Sequence, residues 1–213
     1  AARKIAALKI IVRAPAVVSA QLVGDETTII GNYRRSTVHA VNLYTVYDAP
    51  APATGVLRWN VFHLNGRVLQ TGRKAVVLRH GESVHQHTIE LEKLIARHAR
   101  ESIYVRIALE VAHERVSEDN VFLAAPRFLD LPKAKTAVSF RQISPKEVTI
   151  RFRSDSFQHR FAFDFPGQKH QSSDNFFELY PGEIKTVHIE FEQKQILPRL
   201  KQLLVHRSLM DSY

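Results

Sequence analysis

The amino-acid sequence predicts an all-β chain built as two tandem sandwiches, with one short helix in the first. Three observations predict it. Apolar and polar residues alternate with period two in segment after segment, and turn signals separate these segments about every 8–12 residues. No long helical pattern alternates with them, which argues against a parallel α/β sheet. Pro126 and Pro132 bracket a connector around Leu129-Asp130-Leu131, and at Val138 a second series of alternating strands begins.

The elements follow in order. Ile5, Leu8 and Val12 have the spacing of a helix end that Pro15 stops, so residues 1–14 are expected to be a leader from a preceding domain. Lys9 and Arg13 interrupt its apolar run, unlike a signal peptide. With no initiator Met, the chain reads as a piece of something longer. Strands are expected around residues 17–22 and 37–47, the second apolar on much of both faces. The prolines and Gly55 make 48–55 a loop. Residues 56–64 form a strand with Leu57, Trp59 and Val61 on one face, and Asn65-Gly66 signals a hairpin in which both residues tolerate positive φ. Strands at 68–70, 75–78 and 84–91 follow, with a turn at His80-Gly81-Glu82. Leu91, Leu94, Ile95 and His98 recur at helical spacing within 90–101. Residues 103–111 alternate strictly and read as a half-buried strand. Glu118-Asp119-Asn120 is expected to turn the chain into a last strand at 121–123.

The first sandwich is thus expected over residues 15–131 and the second over 132–213. In the second, strands are expected around 138–140, 148–152, 161–165, 174–180 and 186–191, with a short helix after Pro198. An internal echo ties the two: Leu78-Arg79-His80-Gly81-Glu82 and Leu179-Tyr180-Pro181-Gly182-Glu183 share Leu-x-x-Gly-Glu, each feeding a strand that ends Ile-Glu-apolar.

Composition narrows the function classes. The 213 residues are 45% hydrophobic and 24% charged, enough to bury cores without covalent staples. The absence of cysteine excludes disulfides and thiolate metal sites and leaves the compartment undecided. No apolar run approaches the roughly 18 residues of a membrane span, so no membrane partner is expected. The net charge of +9 is spread evenly, with 17 Lys and Arg against 12 Asp and Glu up to Leu131, and 13 against 9 after it. A basic patch is the footprint of nucleic-acid binding, and this dispersed charge predicts none.

Three blocks carry a resemblance. Thr54-Gly55-Val56-Leu57-Arg58-Trp59 with its hairpin Asn65-Gly66, then Ser117 to Pro126, then Ser173-Asp174-Asn175-Phe176-Phe177-Glu178-Leu179-Tyr180-Pro181-Gly182-Glu183 resemble, in that order, the immunoglobulin-like domains at the C-terminal end of glycoside hydrolase family two β-mannosidases and the related exo-glucosaminidases. The resemblance implies two immunoglobulin-like sandwiches. It also implies a parent enzyme that is a retaining β-mannosidase, with two glutamates on a (β/α)₈ barrel. Such chemistry needs carboxylates about 5–5.5 Å apart, and this chain has no room for a barrel of roughly 250 residues. It also lacks the Asn-Glu dipeptide of the family's acid/base. No catalytic, cofactor-binding or metal-binding residue is therefore carried over, and no cofactor is expected. The fragment itself is expected not to be an enzyme. The expected partner is the catalytic barrel of the parent chain, and β-mannoside substrate only through that enzyme. The alternative is an autonomous carbohydrate-binding or immunoglobulin-like interaction module.

The same blocks have a plain physical reading. Trp59 suits a core anchor between sheets, facing residues such as Val105 or Ile107. Asp174-Asn175 suit a turn, and Pro181-Gly182 a type II turn. Phe176 and Phe177 are consecutive on a strand and cannot both face one core, so one needs another partner: the first sandwich, which is favoured, or the barrel. His85 and His87 lie two apart on a strand and could offer two metal ligands from one face, but no third is evident. No Gly-x-Ser-x-Gly elbow or glycine-rich phosphate loop is present.

Overall fold

The computed structural model of the chain describes residues 15–30 and 33–212, without the side chains of 25–30 and 33–36. The expected leader lies outside the described residues. Among the described residues, seven strands precede the connector and seven follow it. β1 (Ala16–Ile30), β2 (Tyr33–Tyr47) and β5 (Glu82–Glu90) form a three-stranded sheet in the order β1-β2-β5. β3 (Ala53–His63), β4 (Val68–Leu78), β6 (Ile103–Val111) and β7 (Glu114–Phe122) form a four-stranded sheet in the order β4-β3-β6-β7. The short helix α1 (Glu92–His98) leads into β6.

After the connector the arrangement is four plus three again. β8 (Thr136–Gln142), β9 (Glu147–Ser154), β11 (His170–Ser172) and β13 (Ile184–Phe191) pair in the order β11-β13-β9-β8. β10 (Gln158–Asp164), β12 (Phe177–Leu179) and β14 (Val205–Arg207) pair as β12-β10-β14, with α2 (Leu197–Leu203) before β14. These are immunoglobulin-like all-β sandwiches, as the alternation predicts.

Packing divides the chain into two compact units that do not follow chain order. Of the described residues, the first holds those up to 60, with 71–96 and 105–121; the second holds 61–70, 97–104 and those from 122 on. The first is filled mainly by aliphatic residues such as Leu43, Leu57, Leu78, Ile89 and Leu109. The second has two buried clusters. One is phenylalanine-rich, with Phe152, Phe161, Phe163, Phe165, Phe177 and Phe191. The other gathers Leu64, Tyr104, Leu129, Leu131 and Phe157, so the two leucines of the connector are buried while Phe128 and Asp130 stay exposed. There Tyr104 and Phe157 stack with ring centroids 4.4 Å apart, and the Phe157 amide donates to the Leu64 carbonyl at 3.2 Å.

The echo corresponds to one local structure made twice. Gly81 and Gly182 have φ of 72° and 77°, and the glutamate after each donates its amide to the carbonyl three residues back, Arg79 and Tyr180. Proline at 181 and positive φ at 182 are what a type II turn requires.

Several expectations are corrected. Glu118-Asp119-Asn120 is not a turn but lies inside β7; the reversal is at Ala112 and His113, whose φ values are 51° and 67°. Pairing of β6 with β7 imposes that turn on residues with no turn signal, since two-residue hairpins need positive φ at the tip. At Asn65-Gly66 only Gly66 has positive φ, 91°. The His63 amide donates to Arg67 and the Gly66 amide to His63, a three-residue hairpin loop. β6 is buried on both faces over most of its length, not half-buried, because Tyr104 and Ala108 are covered as well as Val105 and Ile107. The strand expected at 174–180 shrinks to Phe177–Leu179.

Candidate functional site

Two places hold the residues that the sequence singles out. The first surrounds Trp59 on β3. Its indole is 6% exposed and lies across Gly72 of the neighbouring strand; a Cβ there would stand 2.1 Å from the indole Cζ2. A glycine inside a strand is costly unless something needs the room, and here the ring fills it. On its other side the indole stacks on His87, with centroids 4.2 Å apart and planes at 28°. The indole N–H finds no hydrogen-bond partner among the described residues, so the ring serves as apolar filler with one unpaid polar atom.

β5 bulges opposite Leu43 and Tyr44, and this bulge separates the two histidines. His87 pairs with Leu43, whose side chain is inward, whereas His85 pairs with the outward Tyr44 and meets its ring edge-on. They therefore do not share a face, contrary to the ligand-pair expectation. Burial, then Lys74 and His85, hold the His87 imidazole below the ordinary histidine value, favouring the neutral ring. Among the described residues no group of three or more histidines and carboxylates could hold a metal.

The second place is the Ser173 to Glu183 segment. Ser173 is tied twice to His188: its amide donates to that carbonyl, and its Oγ accepts from that amide at 3.0 Å. Asp174 Oδ1 accepts the Asn175 amide, and Asp174 Oδ2 pairs with Lys185. Asn175 acts as a strand residue by side chain: its Oδ1 accepts the Phe163 amide at 3.1 Å and its Nδ2 donates to the Phe163 carbonyl at 3.0 Å. The same Oδ1 accepts the Phe176 amide. The turn thus presents Phe176 outward at φ 60°, 71% exposed, and sends Phe177 into the phenylalanine core. Phe176 is not buried as the favoured reading expects. Pro181 caps the segment, and a Cβ on Gly66 would stand 2.6 Å from Pro181 Cβ, so within the second unit these two motif positions meet. Gly182 and Glu183 complete the turn at the surface.

Glu147 and Glu190 are register partners on β9 and β13, yet both are exposed, and water screens two such neighbours. Buried His159 and half-buried Glu178 form a pair, Nδ1 to Oε1 at 2.8 Å, beside Phe122 and Phe157. The sequence carries no signal for this pair, because residues 19 apart meet only through the pairing of β10 with β12.

Comparison with known proteins agrees with this architecture. Residues 39–127 match the family described as Mannosidase Ig/CBM-like domain, and residues 131–212 match a mannosidase family described as Ig-fold domain. Among solved structures, the β-D-mannosidase of Dictyoglomus thermophilum superimposes with a TM-score of 0.64 at 15% identity, covering 92% of this chain and 22% of that one. The exo-chitosanase of Amycolatopsis orientalis gives 0.48 at 10% identity, covering 78% of this chain and 24% of that one. The chain thus spans about a fifth to a quarter of the length of these structures. Comparison with curated protein sequences gives no match. Residues 39–127 thus form a Mannosidase Ig/CBM-like domain and residues 131–212 an Ig-fold mannosidase domain.

Proposed function

We propose that this chain is the non-catalytic accessory module of a retaining β-mannosidase that cleaves terminal β-mannosides, working against the catalytic barrel of its parent chain. The observation that supports the reading most directly is the order of the two domain matches, 39–127 and then 131–212, on two consecutive seven-stranded sandwiches. Its role is scaffolding. Burial of Trp59 and the phenylalanine core makes rigid bodies that can brace a neighbouring domain. Burial of Trp59 also removes the indole as a sugar platform.

The test has two arms. The 213-residue chain alone is expected to leave an aryl β-mannoside intact, and the complete coding frame that contains it is expected to hydrolyse it. Turnover by the chain alone, abolished by substituting one of its own residues, would overturn the reading. So would a complete frame with no barrel.

A further inference from the structure

Phe176 bears two costs at once. Its φ of 60° is one that residues with a side chain avoid, at about 1–3 kcal/mol. Its ring also stands in water. The other described non-glycine residues with positive φ, Ala99, Ala112, His113 and Arg160, expose no large apolar side chain. The wiring of Asp174 and Asn175 holds the ring outward rather than letting it collapse onto the sheet.

What lies beside the ring follows from strand register. On β10 and β14, Ala162 pairs with Arg207 and Asp164 with Val205. Paired residues of antiparallel strands share a face. Phe161 and Phe163 are buried, so the alternating Ala162 and Asp164 face outward, and Val205 and Arg207 face outward with them. Together with Phe176 and Pro166 these residues line a groove of about 500 Å³. Ala162 forms a low floor, Phe176 and Val205 give apolar walls, and Asp164 and Arg207 supply an acceptor and a donor.

We propose that this groove is a binding subsite for one neutral pyranose ring, stacked on Phe176 and hydrogen-bonded by Asp164 and Arg207. Size supports it: ligand sites run from about 300 to 1,000 Å³ with few polar groups on an apolar surface. One phenyl ring and one valine fall far short of the roughly 800 Å² per side that a specific protein interface buries. Charge supports it too. A rim with one carboxylate, one guanidinium and His206, which also lines the groove, matches hydroxyl groups, which donate and accept, better than an ion of either sign. Among the described residues Arg207 has no ion pair, so its donors are free for a ligand. The subsite does not rest on the parent barrel and is testable in this chain by itself.

The test is an amide NMR titration of the whole chain with mannobiose, cellobiose and chitobiose in turn. Saturable shifts at millimolar sugar are expected in residues 162–164, 175–177 and 205–207. Phe176→Gly, which removes the ring and relaxes the backbone, should weaken binding by about threefold to tenfold, the worth of one stacked aromatic. Phe176→Tyr should retain it. Absence of saturable shifts with all three sugars would overturn the proposal, as would equal binding by Phe176→Gly. Shifts of these amides that follow protein concentration rather than sugar would make the face a protein contact and overturn it as well.

Discussion

The first unit places a single indole over a glycine and against a histidine, and ties its outer faces with arginine–glutamate pairs. Arg58 meets Glu110 at 2.8 Å, and Glu118 is held by Arg106 and by Arg115. The second unit fills its centre with phenylalanines that touch one another, Phe152 lying within 6.0 Å of Phe161, Phe163 and Phe177. Both belong to one architecture of seven strands. The difference teaches that strand order sets which faces are hidden, while the filling decides which conditions the unit tolerates. Phenylalanine contacts carry no proton to gain or lose, whereas His87 beside Trp59 and Glu118 between its arginines do; the second unit sets its own histidine–glutamate pair, His159 and Glu178, beside Phe122 and Phe157 rather than in the phenylalanine-rich cluster.

The comparison breaks first at the two anchors. Phe152→Ala and Trp59→Ala should each cost about 3–5 kcal/mol, the usual range for truncating a buried aromatic. Because Trp59 is the chain's one tryptophan, its fluorescence reports the first unit. Trp59→Ala removes that reporter, so its cost is read by circular dichroism; in Phe152→Ala the fluorescence-detected melt should stay near that of the wild type while circular dichroism shows the loss. Coincident, equally lowered transitions by both probes would show that the units unfold together.

Gly72→Val comes next. Its side chain would invade the indole's space, and overpacking of this kind costs about 1–3 kcal/mol. A blue-shifted, stable protein after that substitution would mean the ring has somewhere else to go.

Acid should separate the units further. For Glu118, burial alone would raise the carboxyl, but hydrogen bonds and charge from Arg106 and Arg115 outweigh it and hold it low. A depressed carboxylate contributes stability fully above its unfolded value, near about 4.3, and loses it as pH falls through the folded value. His87, also depressed, contributes above the ordinary value of about 6.5 and loses that contribution as pH falls through its folded value. His98 in the second unit is held low by desolvation and then by Arg67, Arg97 and His63, but it is partly exposed and packs against no core. The fluorescence-detected transition should therefore fall on acidification through these two groups. His87→Gln should flatten its dependence below about pH 6.5, and Glu118→Gln its dependence below about pH 4.3. Urea midpoints measured across pH 3–8 would check both; parallel pH profiles for wild type and variants would count against the assignment.

The smallest effect is expected at Phe176. Phe176→Gly should change stability by less than about 0.5 kcal/mol, since relief of the strained φ offsets the added freedom of the unfolded chain and no packing is lost. A large destabilisation would show that the ring is structural.

Much of this was legible in the sequence for a local reason. Alternation with period two is written residue by residue, so Leu57, Trp59 and Val61, or Phe161, Phe163 and Phe165, announce a strand and its inner face without knowledge of the partner. Gly81 and Gly182 likewise announce their turns, because positive φ is a property of one residue. The motif blocks also marked the immunoglobulin-like architecture. What only the tertiary structure decided are the features that depend on register between distant strands. Gly72 matters because β4 lies beside Trp59, and the positive φ of Ala112 and His113 follows from how β6 meets β7. The bulge in β5 sends His85 and His87 to opposite faces. Ala162, Asp164, Val205 and Arg207 become one surface because β14 returns along β10. A chain encodes its own alternation, but which residue stands opposite which is settled only when cross-strand pairing and core packing are satisfied together.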